Sequence, residues 1–251
     1  MSRVRRLAGV VRSLVVYWRP GRQESLRRLY APFVAPGDLV FDVGAHLGDR
    51  TAAFHALGAD VIAIEPQPHI VPWLRRIVGG KPGVVIVAEA LGRSPGRARL
   101  AMSDTTPTLS TISQTWPERI VRENPTFRDV RWDHWAEVSV TTLDALIEAY
   151  GAPRFCKIDV EGHEAEVLGG LSHPLDALSV EFVEGAFDVA VACVRRLESL
   201  GPYEFNAVIG EQRSFVFPDW IDGAALVEWL ADGASGASSG DLYAQRSLTN
   251  P

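Results

Sequence analysis

The chain has 251 residues, 47% of them apolar, and a formal net charge of −6, which suits one large globular domain with a sizeable core. No apolar run approaches the roughly 18 residues of a membrane span, and the acidic balance argues against a nucleic-acid partner. The two cysteines, Cys156 and Cys193, lie in apolar runs without metal-ligand spacing and read as buried thiols of a reducing, cytoplasmic environment.

The charge is unevenly placed. Residues 1–35 carry eight arginines against a single acid, Glu24. Arg12 cuts the apolar clusters at 7–11 and 14–18, and no small-residue cleavage site follows, so an export signal is rejected. Residues 1–36 read as a basic helical segment packed on the main domain; contact with an anionic membrane surface or a protein partner is the alternative role. The second helix, Glu24 to Phe33, stops at Pro36-Gly37.

Residues 37–251 form the main domain. Leu39 to Phe41 is a short strand, Gly44 and Gly48 make a tight turn, and a helix follows through TAAFHALG. Val61 to Ile64 is a second strand ending at Glu65, with a helix near Ile70 to Val78, and Gly83 to Ala88 is a third strand ending at Glu89. This alternation predicts a parallel sheet with helices on both faces. The regularity lapses between 92 and 141. Arg97 to Met102 reads as an edge strand, and residues 103–135 as an irregular lid or acceptor-binding insertion in which Trp116, Trp132 and Trp135 either meet a flat acceptor or anchor the insertion. Val138 to Val140 is a returning strand, and Thr141 to Asp144 has capping-box spacing. Phe155 to Val160 is a fourth strand, followed by the helix EAEVLGG; Leu178 to Val183 is a fifth, followed by a helix from Ala190 to Leu200. Glu204 to Ile209 and Asp241 to Gln245 are expected to pair antiparallel around a helix at Ile221 to Leu230, with ASGASSG as a flexible connector.

The glycine turn invites a ligand, because bare backbone admits close approach. A dinucleotide site needs G-x-G-x-x-G, but here the spacing is Gly44-Ala45-His46-Leu47-Gly48. Asp42 precedes the turn and Asp49 closes it, and carboxylates there would repel pyrophosphate. The site therefore favours a cation. S-adenosyl-L-methionine carries a sulfonium and an ammonium and no phosphate. Glu65, 21 residues after Gly44, is placed for its ribose hydroxyls, and Glu89-Ala90 for its adenine edge. An NAD(P)-dependent oxidoreductase and a non-catalytic binding module are the competing classes.

The run Lys157-Ile-Asp159-Val-Glu161-Gly162-His163 closes the fourth strand, where side chains border the ligand crevice of an open sheet. Strand alternation would put Lys157, Asp159 and Glu161 on one face, and with only two lysines in the chain Lys157 stands out as a chosen residue. These segments, FDVGAHLGD, IEPQP, VTTLDAL, FCKIDVEGHEAEVLGGL and GDLYA in that order, resemble the FkbM-type S-adenosylmethionine-dependent methyltransferases over roughly residues 37 to 246. The resemblance implies a class I methyltransferase (Rossmann-like) α/β fold, a doubly wound seven-stranded sheet whose last strand is antiparallel. It also implies O-methylation of a secondary metabolite or saccharide. A hydroxyl acceptor must lose its proton, which makes Asp159, Glu161 and His163 candidate bases with Lys157 as a charge-stabilising neighbour. His46 is expected against the cofactor. No tight ligand spacing supports a metal, although Asp159, Glu161 and Glu181 form an alternative carboxylate set.

Overall fold

The computed structural model describes residues 2–247, with side chains from Leu7 onward. Two helices, α1 (Ser2–Tyr17) and α2 (Arg22–Tyr30), lead into β1 (Leu39–Val43), α3 (Asp49–Ala56), β2 (Asp60–Ile64), α4 (Val71–Ile77) and β3 (Val84–Val87). After a second small sheet, the pattern resumes with α6 (Leu143–Tyr150), β7 (Phe155–Ile158), α7 (Glu164–Gly169), β8 (Ala177–Val183) and α8 (Phe187–Leu200). The chain closes with β9 (Tyr203–Ile209), α9 (Gly223–Ala231) and β10 (Ser239–Arg246).

The main sheet has seven strands in the order β3-β2-β1-β7-β8-β10-β9. β1 pairs parallel with β2 on one side and β7 on the other, while β10 runs antiparallel between β8 and β9. This is the doubly wound, Rossmann-like sheet with an antiparallel terminal strand that the motifs implied. The strand order reverses at β1, so the crevice opens where β1 and β7 end.

Alternation along the strands divides the core. Phe41, Val43, Ile62, Cys156 and Ile158 face α6 to α9 in one apolar layer. Val40, Val61, Phe155 and Tyr243 face α2 and α3 in the other. That second layer is aromatic: Tyr30 lies 4.4 Å from Phe54, and Phe33 stacks on Tyr243 at 5.6 Å between ring centroids, each pair contributing about 0.5–1.5 kcal/mol beyond its area. The N-terminal segment is thus part of the domain core. α1 sets Val10 and Leu14 against Leu47 and Ile70 and leaves Leu7, Val11, Val15 and Val16 exposed.

The region from 92 to 141 is more regular than its sequence suggests. β5 (Gly96–Met102) is an edge strand, as expected, but of a second sheet. It pairs antiparallel with β6 (His134–Thr141), which pairs with β4 (Ala90–Leu91), in a three-stranded sheet. Within the insertion lies α5 (Trp116–Glu123), held by Trp116 packing edge-on against Phe127 and Trp132. Trp132 also donates through Nε1 to the Leu109 carbonyl at 2.6 Å. These two tryptophans anchor the insertion, while Trp135 is exposed beneath the Arg99 guanidinium. One short helix, with Pro117 in its first turn and Pro125 just past its end, is too brief for its period to register against mixed aromatic and charged neighbours.

Three smaller expectations change. α6 is capped by Thr142, whose hydroxyl accepts from Ala145 N at 3.1 Å, while Asp144 accepts from Ser172 N. β7 ends at Ile158, so simple alternation does not extend to Asp159 and Glu161. ASGASSG is a packed turn leading into β10, with Ala234 and Ala237 buried, because small residues fit where larger ones would not. Both cysteines are free and buried. No helix among the described residues is long and apolar enough to cross a membrane.

Candidate active site

A cleft of about 250 Å³ lies at the ends of β1, β2 and β7. Its floor is the turn after β1, where Gly44 and Ala45 both donate backbone N–H bonds to the Ile64 carbonyl at 2.9 Å. Gly44 has φ +83, and a Cβ there would stand 1.8 Å from the Asp159 carbonyl oxygen, so only glycine lets the two loops meet. Gly48 serves differently. It caps α3 in the left-handed conformation and abuts Leu74 and Val78 outside the cleft.

Glu65 is 2% exposed, and each carboxylate oxygen accepts one backbone N–H: Oε2 from His46 at 2.9 Å, Oε1 from Gln67 at 2.8 Å. Burial nevertheless pushes its pKa up to about 7. Asp42, on the neighbouring strand, accepts from the Thr51 hydroxyl at 2.5 Å, and burial raises it to about 6. His46 sits edge-on to Tyr17, its Nε2 buried with no hydrogen-bond partner, and burial lowers its pKa to about 4, so the ring is neutral. Glu89 and Ala90 line the cleft where β3 gives way to β4. Asp49 is committed elsewhere: α2 brings Arg22 Nε to 2.8 Å from its carboxylate in a buried ion pair, so it is not left free for a ligand cation.

On the opposite wall the KIDVEG run divides. Lys157 is fully buried beneath the cleft, 2.8 Å from Asp241 and 3.2 Å from Asp159. Burial would strip its charge, but the two carboxylates outweigh that and hold its pKa above the ordinary value. Burial would likewise raise Asp159, yet Lys157 and Arg50 hold it below its ordinary range. Glu161 adopts φ 57 and is held well above the usual carboxylate pKa by burial and by Asp159. Glu164 fastens this loop by accepting from Val160 N at 3.0 Å and Gly162 N at 3.2 Å. His163 lies outside the cleft lining, its Nε2 3.6 Å from where a Cβ on Gly92 would be, and so does not join the other candidate bases.

Sequence reasoning passed over several wall residues. Tyr17 arrives from α1, Arg50 from the first turn of α3, Gln67 from the turn after β2, and residues 108–110 and 112 from the insertion, where Ser110 donates to Gln67 at 2.8 Å. Arg50 was visible as a cation directly after an acidic turn; the others carry no local signal. Glu181, reached through β8, stands beside Asp159 and Glu161. Among the described residues, eight carboxyl groups and one guanidinium, that of Arg50, line the cleft, with Asp49 and Glu211 both paired to Arg22 behind it. Such a wall suits a cationic ligand and opposes a pyrophosphate.

A family model described as the methyltransferase FkbM domain matches residues 42–214, more than half of the chain. The chain belongs to the FkbM methyltransferase family. Its methyl donor is S-adenosyl-L-methionine. Among curated relatives, the hexuronic acid methyltransferase AglP of Haloferax volcanii is 28% identical over 183 residues, 69% of this chain and 68% of that one. Among solved structures, the precorrin-6y C5,15-methyltransferase of Geobacter metallireducens aligns at TM-score 0.48 and 11% identity, covering 90% of this chain and 87% of that one. A TehB-like methyltransferase of Corynebacterium glutamicum aligns at TM-score 0.46 and 10% identity, with 89% and 88% covered.

Proposed function

We propose that this FkbM methyltransferase methylates a hydroxyl oxygen of a small acceptor, a saccharide in preference to a polyketide-like metabolite. The observation that supports this most directly is the position of Asp159: a carboxylate held ionised by Lys157, on the cleft wall that touches the glycine turn. When bound, S-adenosyl-L-methionine supplies an electrophilic methyl group on a sulfonium.

The chain's residues fit that donor. A carboxylate offers about four lone-pair sites, so Glu65 keeps acceptor capacity for ribose hydroxyls beyond its two backbone bonds. Glu89 and Ala90 flank the adenine, Ala45 and neutral His46 pack against the donor, and Asp42 contributes negative potential beneath the turn. Arg50, the cation of the wall, pairs with the donor's carboxylate. The methyl moves by in-line displacement, so the protein acts chiefly by holding acceptor and donor in line. Asp159 accepts the hydroxyl proton. Lys157 is a positioning residue that keeps Asp159 charged, and Glu161 hydrogen-bonds the acceptor beside it.

The saccharide preference draws on the relative's sugar-acid substrate class and on Phe127 at the cleft, whose face suits the apolar side of a sugar ring. The test is transfer of labelled methyl from the donor to a panel of neutral and uronic-acid-containing saccharides. Label stable to mild alkali identifies a methyl ether. Alkali-labile label identifies a carboxyl ester and overturns hydroxyl methylation.

A further inference from the structure

Asp159 and Glu161 follow the end of β7, Glu181 lies within β8, and one carboxylate oxygen of each lies within 4.8 Å of the other two. Oxygens bound to one ion at about 2.4 Å can stand at most about 4.8 Å apart, and at magnesium's roughly 2.1 Å about 4.2 Å. Three oxygens each at that 4.8 Å limit would stand about 2.8 Å from a common centre, so the trio takes a calcium-sized ion after closing by a few tenths of an ångström and a magnesium-sized one after closing somewhat further.

A second observation concerns two of the three. Glu161 is 6% exposed, and its Oε2 is buried with no hydrogen-bond partner; Oε2 of Glu181 is likewise buried without one. Two buried carboxylate oxygens without partners, on two members of one trio, are costly to leave unmatched. The nearest ammonium does not answer them, because Lys157 is engaged by Asp159 and Asp241. Among the described residues no ion pair reaches Glu161 or Glu181.

We propose that Asp159, Glu161 and Glu181 hold one divalent cation of the magnesium, manganese or calcium class, where it binds the acceptor's hydroxyl. This deepens the hydroxyl-methylation reading and rests on it. The ion meets a chemical need: an alcohol is a far weaker acid than a carboxyl group, so a carboxylate alone is a poor match for its proton, and an oxygen bound to a divalent ion gives that proton up more readily. Asp159 then has one oxygen toward Lys157 and one toward the ion, and the hydroxyl proton passes to a carboxylate oxygen of the same wall. Atoms balance as one O–C bond formed, one S–C bond and one O–H bond broken, and one proton received by the wall.

The test uses the full chain freed of metal by chelator. Manganese is titrated and followed by its electron paramagnetic resonance signal. One saturable site with a dissociation constant on the order of 10⁻⁴ M is expected, displaced by magnesium or calcium and weakened at least about tenfold in Glu161→Gln and in Glu181→Gln, a loss of about 1.4 kcal/mol. Circular dichroism of both variants checks that they fold, and Glu204→Gln, remote from the cleft, should bind manganese as the parent does. Absence of a saturable site, or binding unchanged in the Glu161→Gln/Glu181→Gln double variant, overturns the proposal. Calorimetry with S-adenosylhomocysteine in excess chelator separates the two levels. Cofactor binding with alkali-stable transfer undiminished in chelator overturns the ion and leaves hydroxyl methylation standing.

Discussion

Replacing Glu65 by glutamine tests the cofactor side of the cleft with little change in volume. Oε2 accepts from His46 N at 2.9 Å and Oε1 from Gln67 N at 2.8 Å, so either orientation of the amide turns an NH₂ group against a backbone N–H. One buried donor then loses its partner, at about 1–3 kcal/mol of folding stability. In the complex, one charge-assisted bond to a ribose hydroxyl is lost as well, about 1.5–3 kcal/mol, which raises the dissociation constant of S-adenosylhomocysteine roughly 10- to 150-fold. The pH dependence supplies an independent signature. Burial raises Glu65 from its ordinary 4.5 to about 7, and hydroxyl donors favour the ionised form, so ligand binding lowers that pKa and affinity rises with pH through about 7. For folding alone the sign is opposite: a raised pKa contributes stability below 4.5 that is lost as pH rises through about 7. Titration calorimetry from about pH 5.5 to about 8.5 reads the binding effect, and thermal unfolding from about pH 4 to about 8 reads the folding one. Weakening of less than about threefold, or a parent affinity flat across that range, would refute the assignment.

Asp159→Asn should lower kcat about 100-fold or more in initial-rate assays while leaving S-adenosylhomocysteine affinity within about threefold; full transfer would remove Asp159 as the proton acceptor. Gly44→Ala places a methyl 1.8 Å from the Asp159 carbonyl at φ +83, and should cost about 3 kcal/mol or more in urea unfolding; a cost under about 1 kcal/mol would contradict the packing of the two loops. Lys157→Met leaves Asp241 and Asp159 buried without their ammonium, which should destabilise by about 3–5 kcal/mol, with partial recovery when Asp241→Leu is added. His163→Ala should keep kcat/KM within about twofold, since the imidazole lies outside the cleft lining; a tenfold fall would return it to the list of bases.

The candidate site was legible where its signal is local. The strand, glycine turn and helix at 39–56 announce themselves through apolar spacing, glycines and flanking acids, and Gly44, Ala45, His46, Glu65, Glu89 and Ala90 all border the cleft. The KIDVEG run was legible as a group and not residue by residue. Lys157 turns under the cleft because it belongs to β7, whereas Asp159 and Glu161 follow the strand end, where the left-handed turn at Glu161 breaks alternation. His163 faces Gly92 because it sits at the start of α7, and helix phase, not strand phase, sets its direction there.

The sequence by itself determined most elements outside residues 92–141, the parallel character of the sheet, the antiparallel pairing near the C-terminus and the cationic character of the ligand, because each depends on periodicity or on charges adjacent in the chain. The class I fold came from the family's motifs. Only the tertiary structure decided which charges meet. Arg22 neutralises Asp49 from 27 positions away, Asp241 shares Lys157 with Asp159 across the sheet, and Glu181 completes a carboxylate trio with Asp159 and Glu161. Electrostatic pairing depends on distance through space, which is set by how strands and helices pack and leaves no trace in sequence spacing.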